Sequence, residues 1–428
     1  MTAPPPPDKP VKRVRVSDLR GLAQLATQAT TGVARITEGV HQAVWSSLGV
    51  PGGAQPGQTR GLTGLIYRGI GELAQRLGKG VDGLLARLQP LLDAAEQAAP
   101  DSPQREALLA VLNGVMGDSL AASGNPLATP MHLRYQGKVI DGAEEGTCAF
   151  APGTQVTGKL LLLVHGLCMN DLQWCPATDE TAADKPEDDY ASGLAATLGY
   201  SPIFLRYNSG QHISDNGRAL SALLEQLLAR WPVPVEELSV LAHSMGGLVI
   251  RSALEHARQH GLCWPERLKR IVFLGTPHRG APLERAGNWV HAILGSTPYS
   301  APFTRLAGLR SAGITDLRYG FMSDADWQGH DRFRRRPDSR QPPSLPEGVA
   351  CFAVAATLAE RRGLLAERLT GDGLVPLRSA LGQHDDPRLA LTFAKSSQYI
   401  AYRTGHMALL HSPAVARQIT SWLAPPPV

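Results

Sequence analysis

Long apolar runs are missing from this chain. No stretch approaches the roughly 20 apolar residues that a membrane-crossing helix needs. The opening "MTAPPPPDKPVKRVRV" carries basic residues but no apolar segment behind them, so no secretory signal is expected and the default address is the cytoplasm. One-signed charge is scarce too. Lysine and arginine number 42 against 38 acidic residues, a formal +4, with the arginines scattered rather than clustered. That balance gives no reason to expect a nucleic-acid partner. Cysteine is sparse and odd in number: Cys148, Cys168, Cys175, Cys263 and Cys351, with no CxxC pair. Reduced, mostly buried thiols are expected, and only Cys168 and Cys175 lie close on one loop. No His/Cys/Asp grouping has zinc spacing, so no metal is expected.

What is present is a large apolar fraction, 43%, in 428 residues, enough for two domains. Residues 1–16 read as a proline-rich, disordered leader. Residues 17–122 read as all-α. Leu62, Ile66, Ile70, Leu73, Leu77, Val81, Leu84, Leu88 and Leu92 recur every three or four positions along one helical stripe, and a further helix is expected over Gln104–Leu120. The stripe suits packing on neighbouring helices. Peripheral membrane contact or oligomerisation through these helices is left open.

After the linker "AASGNPLATP" the texture changes. Short apolar runs alternate with amphipathic ones: "KLLLLVHG", "SPIFLRYN", "LSVLAH" and "LKRIVFLGTP" as strands, with helices between them. "MHLRYQGKVI" before them reads as one strand, and "VACFAVAATL" and "LALTFAKSS" as later strands. The alternation predicts an α/β domain over about 131–428, a mostly parallel sheet with helices on both faces. The rhythm stops between Ala281 and Gly348, a length that suits a lid insertion. Trp289, Val290, Ile293 and Leu294 there could face an acyl chain. A last helix is expected from Ser412-Pro413 to Leu423.

The chemistry gathers at "LAHSMGGLVI". A strand that turns at once into a helix lifts Ser244 above the sheet end. The backbones nearly touch there, so the positions two away must be small, and Ala242 and Gly246 are. A serine nucleophile needs an oxyanion hole. The Met245 N–H supplies one donor. The loop after "LLLLV", with His165 and Gly166, supplies the other from Leu167, Gly166 being chosen for a backbone conformation closed to other residues. An acid and a base should follow in that order. Asp372 lies between two glycines in "TGDGLVP", and His406 stands before an apolar run in "RTGHMALLH", with His411 as the rival base.

VHGL (164–167), AHSMGG (242–247), GTPHRGAP (275–282), GDGLVP (371–376) and TGH (404–406) together resemble the α/β-hydrolase superfamily. Within it the chain is similar to lipase-type esterases grouped with GPI inositol-deacylase-like proteins. "RYNSGQHISDNGRALSALL" and "RSAGITDLRYG" also resemble bacterial members. The resemblance implies an α/β-hydrolase fold and a cofactor-free serine ester hydrolase acting on a small-molecule or lipid ester. Ala242 in place of the usual first glycine is the one departure. Acyl transfer, thioester hydrolysis and polyester depolymerisation use the same acyl-enzyme and stay open, as does a non-catalytic binding scaffold.

Overall fold

The computed structural model describes residues 103–141, 153–174, 197–281, 311–329, 343–360 and 371–424, together with Cys148, Phe150, Gly193 and Leu194. The leader, the Gly61–Leu92 stripe, Cys175, and the Trp289–Leu294 patch of the insertion lie outside these residues. So does most of the segment expected to be helical at 188–200. The chain divides into two compact units, residues 1–102 with 122–127, and residues 103–121 with 128–428. In the first, described from Ala122 to Leu127, the Leu127 N–H donates to Asn125 Oδ1 at 2.9 Å.

The second unit is built on eight strands: β1 (His132–Tyr135), β2 (Lys138–Val139), β3 (Lys159–Val164), β4 (Ser201–Arg206), β5 (Glu237–His243), β6 (Leu268–Leu274), β7 (Ala350–Thr357) and β8 (Gln398–Tyr402). Their order is β2-β1-β4-β3-β5-β6-β7-β8. β3 to β8 run parallel, while β1 is antiparallel to both β2 and β4. This is the α/β-hydrolase fold. The order reverses at β3, which has β4 on one side and β5 on the other, and α/β folds place their ligands at the carboxyl ends of such strands.

"LLLLV" in β3 is buried throughout because both of its faces are covered. Leu160, Leu162 and Val164 join one core with Leu220, Leu224, Leu248, Val249 and Ala253, from helices α2 (Ile213–Arg230) and α3 (Gly246–His260). Leu161 and Leu163 join the other, with Trp174 and with Val415, Ile419 and Leu423 of the last helix. That helix, Pro413–Leu423, starts as its sequence suggests. Ser412 Oγ accepts the Val415 N–H, and Pro413 takes the first position.

Two strand expectations change. "MHLRYQGKVI" is a hairpin, not one strand. Gln136 and Gly137 both take positive φ, 47° and 76°, and turn the chain back on itself. "LALTF" forms no ladder: Leu389 closes a 3-10 turn, Pro387–Leu389, and the residues after it join no strand of the sheet. Leu389, Leu391 and Phe393 still point inward and are buried, which explains the alternation, but the last strand starts later, at Gln398.

The helix expected at Gln104–Leu120 is present as α1 (Pro103–Ala122) but kinked at Met116, whose φ of −143° is not helical, and its residues 103–121 cluster with the sheet. Glu106 of α1 and Asp171 both pair with Arg206 at the end of β4, and Asp171 also pairs with Arg134 of β1 at 3.3 Å. Asn208 Nδ2 donates to the Gly117 carbonyl at 2.9 Å. In the insertion, α4 (Ala312–Tyr319) begins beside α1, with Ser311 Oγ donating to the Gly114 carbonyl at 2.7 Å. The two stretches "GQHIS" and "AGITD" meet: His212 Nδ1 lies 3.0 Å from Asp316 Oδ2, which also accepts the Ile213 N–H.

Candidate functional site

Ser244 sits between β5 and α3 at φ +54°. A non-glycine residue is uncommon there, and left-handed backbone costs roughly 1–2 kcal/mol. The packing holds it. The Ser244 N–H donates to the Leu274 carbonyl at 2.8 Å. A Cβ on Gly246 would lie 2.6 Å from the carbonyl oxygens of both Val164 and His165, so the helix can start only with glycine. Ala242 is wholly buried between Val164 and Phe273 of the neighbouring strands. Gly247, which the motif alone did not single out, abuts Thr276 in the same way. Ser244 is 2% exposed, and its Oγ has no hydrogen-bond partner among the described residues.

Asp372 follows β7 and stands between Gly371 (φ +41°) and Gly373 (φ +95°). Its Oδ1 accepts the N–H groups of Leu374 at 2.9 Å and Val375 at 2.7 Å. Its Oδ2 faces His406 Nδ1 at 2.7 Å. A carboxylate only accepts, so Nδ1 carries the proton and Nε2 presents a lone pair. His406 and Asp372 are 4% and 3% exposed, so the pair is shielded from water. The His406 ring lies against Gly275, where a Cβ would come within 3.1 Å of it. Gly275 follows Leu274, which holds the Ser244 N–H, so Ser244 and the His406 ring are both placed at the carboxyl end of β6. His411, the rival base, is exposed on the surface.

The loop after β3 closes over Ser244. A Cβ on Gly166 would lie 3.0 Å from Ser244 Cβ and 3.2 Å from His243 Nδ1. Close approach, rather than an unusual φ, is therefore what demands glycine there. The left-handed residue of the loop is Cys168, at φ +58°. Leu167 and Met245 are buried, and among the described residues neither backbone N–H has a partner.

Three further histidines are buried in this unit, His165, His243 and His278, and sequence reasoning assigned no role to the last two. His165 is fully buried, and burial pulls its pKa down to about 4. Its Nδ1–H donates to the Gly166 carbonyl at 2.9 Å, its Nε2 accepts the Tyr207 N–H at 3.3 Å, and its ring stacks on Tyr207 at 4.2 Å. It is a neutral clamp on the loop. His243 is held well below the ordinary range by burial and by His406, whose ring is 4.7 Å away, and its Nε2 donates to the His406 carbonyl at 3.3 Å. His278 of "GTPHRG" is likewise held low, by burial and by Arg251 and Arg279. Among the described residues no group of His, Cys, Asp and Glu could hold a metal ion.

The sequence family DUF7379, a domain of unknown function, matches residues 138–311. No curated protein matches the chain. Among solved structures, the mature lipase of Bacillus licheniformis is similar at 16% identity and a TM-score of 0.40, over 69% of this chain and 100% of its own. Lipase B of Aspergillus fumigatus is similar at 12% identity and a TM-score of 0.36, over 60% and 50%. A thioesterase of the prodiginine biosynthetic pathway in Streptomyces coelicolor is similar at 12% identity and a TM-score of 0.34, over 62% and 85%. This chain's own strand order and strand directions are those of the α/β-hydrolase fold. No helix of the described residues is long and apolar enough to cross a membrane.

Proposed function

We propose that this protein is a serine carboxylic-ester hydrolase with Ser244 as nucleophile, His406 as base and Asp372 as the acid that orients it. The observation that carries the reading is the left-handed, buried Ser244 at the β5–α3 elbow, with its hydroxyl unengaged. His406 Nε2 takes the Ser244 proton as Oγ adds to the ester carbonyl. The oxygen of the tetrahedral intermediate becomes an anion and accepts from the Leu167 and Met245 N–H groups. Collapse expels the alcohol, which leaves with the proton from His406. Water, deprotonated by the same imidazole, then releases the acid and frees Ser244. Asp372 holds the imidazole in the tautomer with Nδ1–H and stabilises it when protonated.

The substrate proposed is an ester with an apolar acyl chain, each buried methylene of which contributes about 0.8 kcal/mol. A fluorophosphonate probe should label Ser244 in the wild-type protein and fail on Ser244→Ala. A series of p-nitrophenyl esters should rise in kcat/KM from acetate to medium-chain acids. A wild-type protein that neither labels nor turns over any ester or thioester would leave a binding scaffold as the reading.

A further inference from the structure

A loop that carries an oxyanion donor must be held to within a fraction of an ångström, and Cys168 at φ +58° gives this loop a reason to relax. What holds it comes from far along the chain. The Cys168 N–H donates to Ser209 Oγ at 3.0 Å, from the loop after β4. Behind Cys168 lies α1. A Cβ on Gly114 would stand 2.2 Å from Cys168 Sγ, 2.8 Å from its Cα and 2.9 Å from its N, so helix and loop are in backbone contact. Asn170 Nδ2 donates to the Glu106 carbonyl at 3.0 Å, further along the same loop and two turns earlier on the helix. Ser209 Oγ also decides which N–H is offered at this loop. It engages that of Cys168, while that of Leu167, one residue earlier, is left without a partner among the described residues.

We propose that Ser209 is a positioning residue for the oxyanion hole, its hydroxyl and the Gly114 face of α1 together fixing the Cys168 peptide so that the Leu167 N–H stays aimed above Ser244. The inference rests on the ester-hydrolase reading above. It makes α1 part of the reacting end of the molecule, although α1 precedes the first strand in sequence.

The test uses the full chain, p-nitrophenyl ester turnover, and inhibition by a phenylboronic acid. Ser244 Oγ adds to boron, its proton passes to His406, and the boron becomes a tetrahedral anion that imitates the transition state. Ser209→Ala should lower kcat by about tenfold to a hundredfold with KM within about twofold, as small misplacements of catalytic geometry do. Boronate inhibition should weaken by the same factor. Ser201→Ala is the control. Ser201 is a buried serine on β4 that accepts the Thr157 N–H at 2.8 Å, at the strand end away from the site, and its loss should leave kcat and boronate inhibition unchanged. If Ser209→Ala does not fold, Ser209→Cys, close in size and a weaker acceptor, takes its place in the same two measurements with the same expected losses. Wild-type kcat in Ser209→Ala, or losses no larger than those of Ser201→Ala, overturn the positioning role and leave the hydrolase reading standing. A wild-type protein without turnover or fluorophosphonate labelling overturns both.

Discussion

His406 and Asp372 are joined twice. The side chains meet at 2.7 Å between Nδ1 and Oδ2, and the His406 N–H donates to the Asp372 carbonyl at 3.1 Å. The loop after β8 is therefore tied to the loop after β7 before any side chain is placed. Asp372→Asn should keep the main-chain bond and the two N–H contacts to Oδ1 but present the wrong partner to the imidazole. Turnover should fall by about 10⁴ with little change in stability. Asp372→Ala should match that loss and also unfold at lower denaturant, by about 2 kcal/mol, because Leu374 and Val375 lose their acceptor. Steady-state kinetics beside urea titrations separate the two.

Ser244 holds a backbone conformation that its side chain disfavours. Ser244→Gly should relieve it and raise stability by about 1 kcal/mol, while Ser244→Ala should leave stability near wild type. Both should lose essentially all ester turnover. A Ser244→Gly variant less stable than Ser244→Ala, by thermal melting, would mean the elbow is not strained.

His165 gives stability a pH dependence of known sign. Its folded pKa is about 4, below the ordinary 6.5, so the unfolded chain takes the proton first. Stability from this group is fully present above pH 6.5 and is lost as pH falls toward about 4, amounting to about 3 kcal/mol. Denaturation at pH 7 and pH 4.5 should show that loss in the wild type, and His165→Gln should reduce it. Equal slopes in both proteins would place the acid sensitivity elsewhere.

Arg206 serves two buried carboxylates, Glu106 and Asp171. Arg206→Met should destabilise by about 3–5 kcal/mol, because both acids stay behind with less compensation. Replacing Glu106 by Gln in the same background should recover part of the loss, and a double-mutant cycle measures it.

The local geometry of the candidate site was legible in the sequence, and its distant contacts were not. Ser244, Ala242 and Gly246 form one turn, so five residues carried their own context. Asp372 and His406 were readable from chain order and from flanking glycines. Ser209 is 41 residues from Cys168, and nothing near either marks the contact. His243 adjoins the serine, yet the ring that faces it, that of His406, comes from 163 residues further along the chain. Gly166 was expected for the right position and a different reason, since close approach to Ser244 is a property of two strands and not of one. The period-2 pattern of "LALTF" reported burial faithfully, but burial alone does not make a ladder. The hairpin at Gln136-Gly137 shows the converse, because a turn signal lay inside a run that looked continuous.

The sheet ends differently at its two margins. β2 is two residues long, Lys138 and Val139, both exposed, and it covers only Arg134 and Tyr135 of the strand beside it. An incoming strand would find few unpaired backbone groups there and a lysine among them. At the other margin β8 presents five residues, Gln398 to Tyr402, with Tyr402 exposed. Among the described strands, the longer backbone edge open to a pairing strand is therefore that of β8, not that of β2.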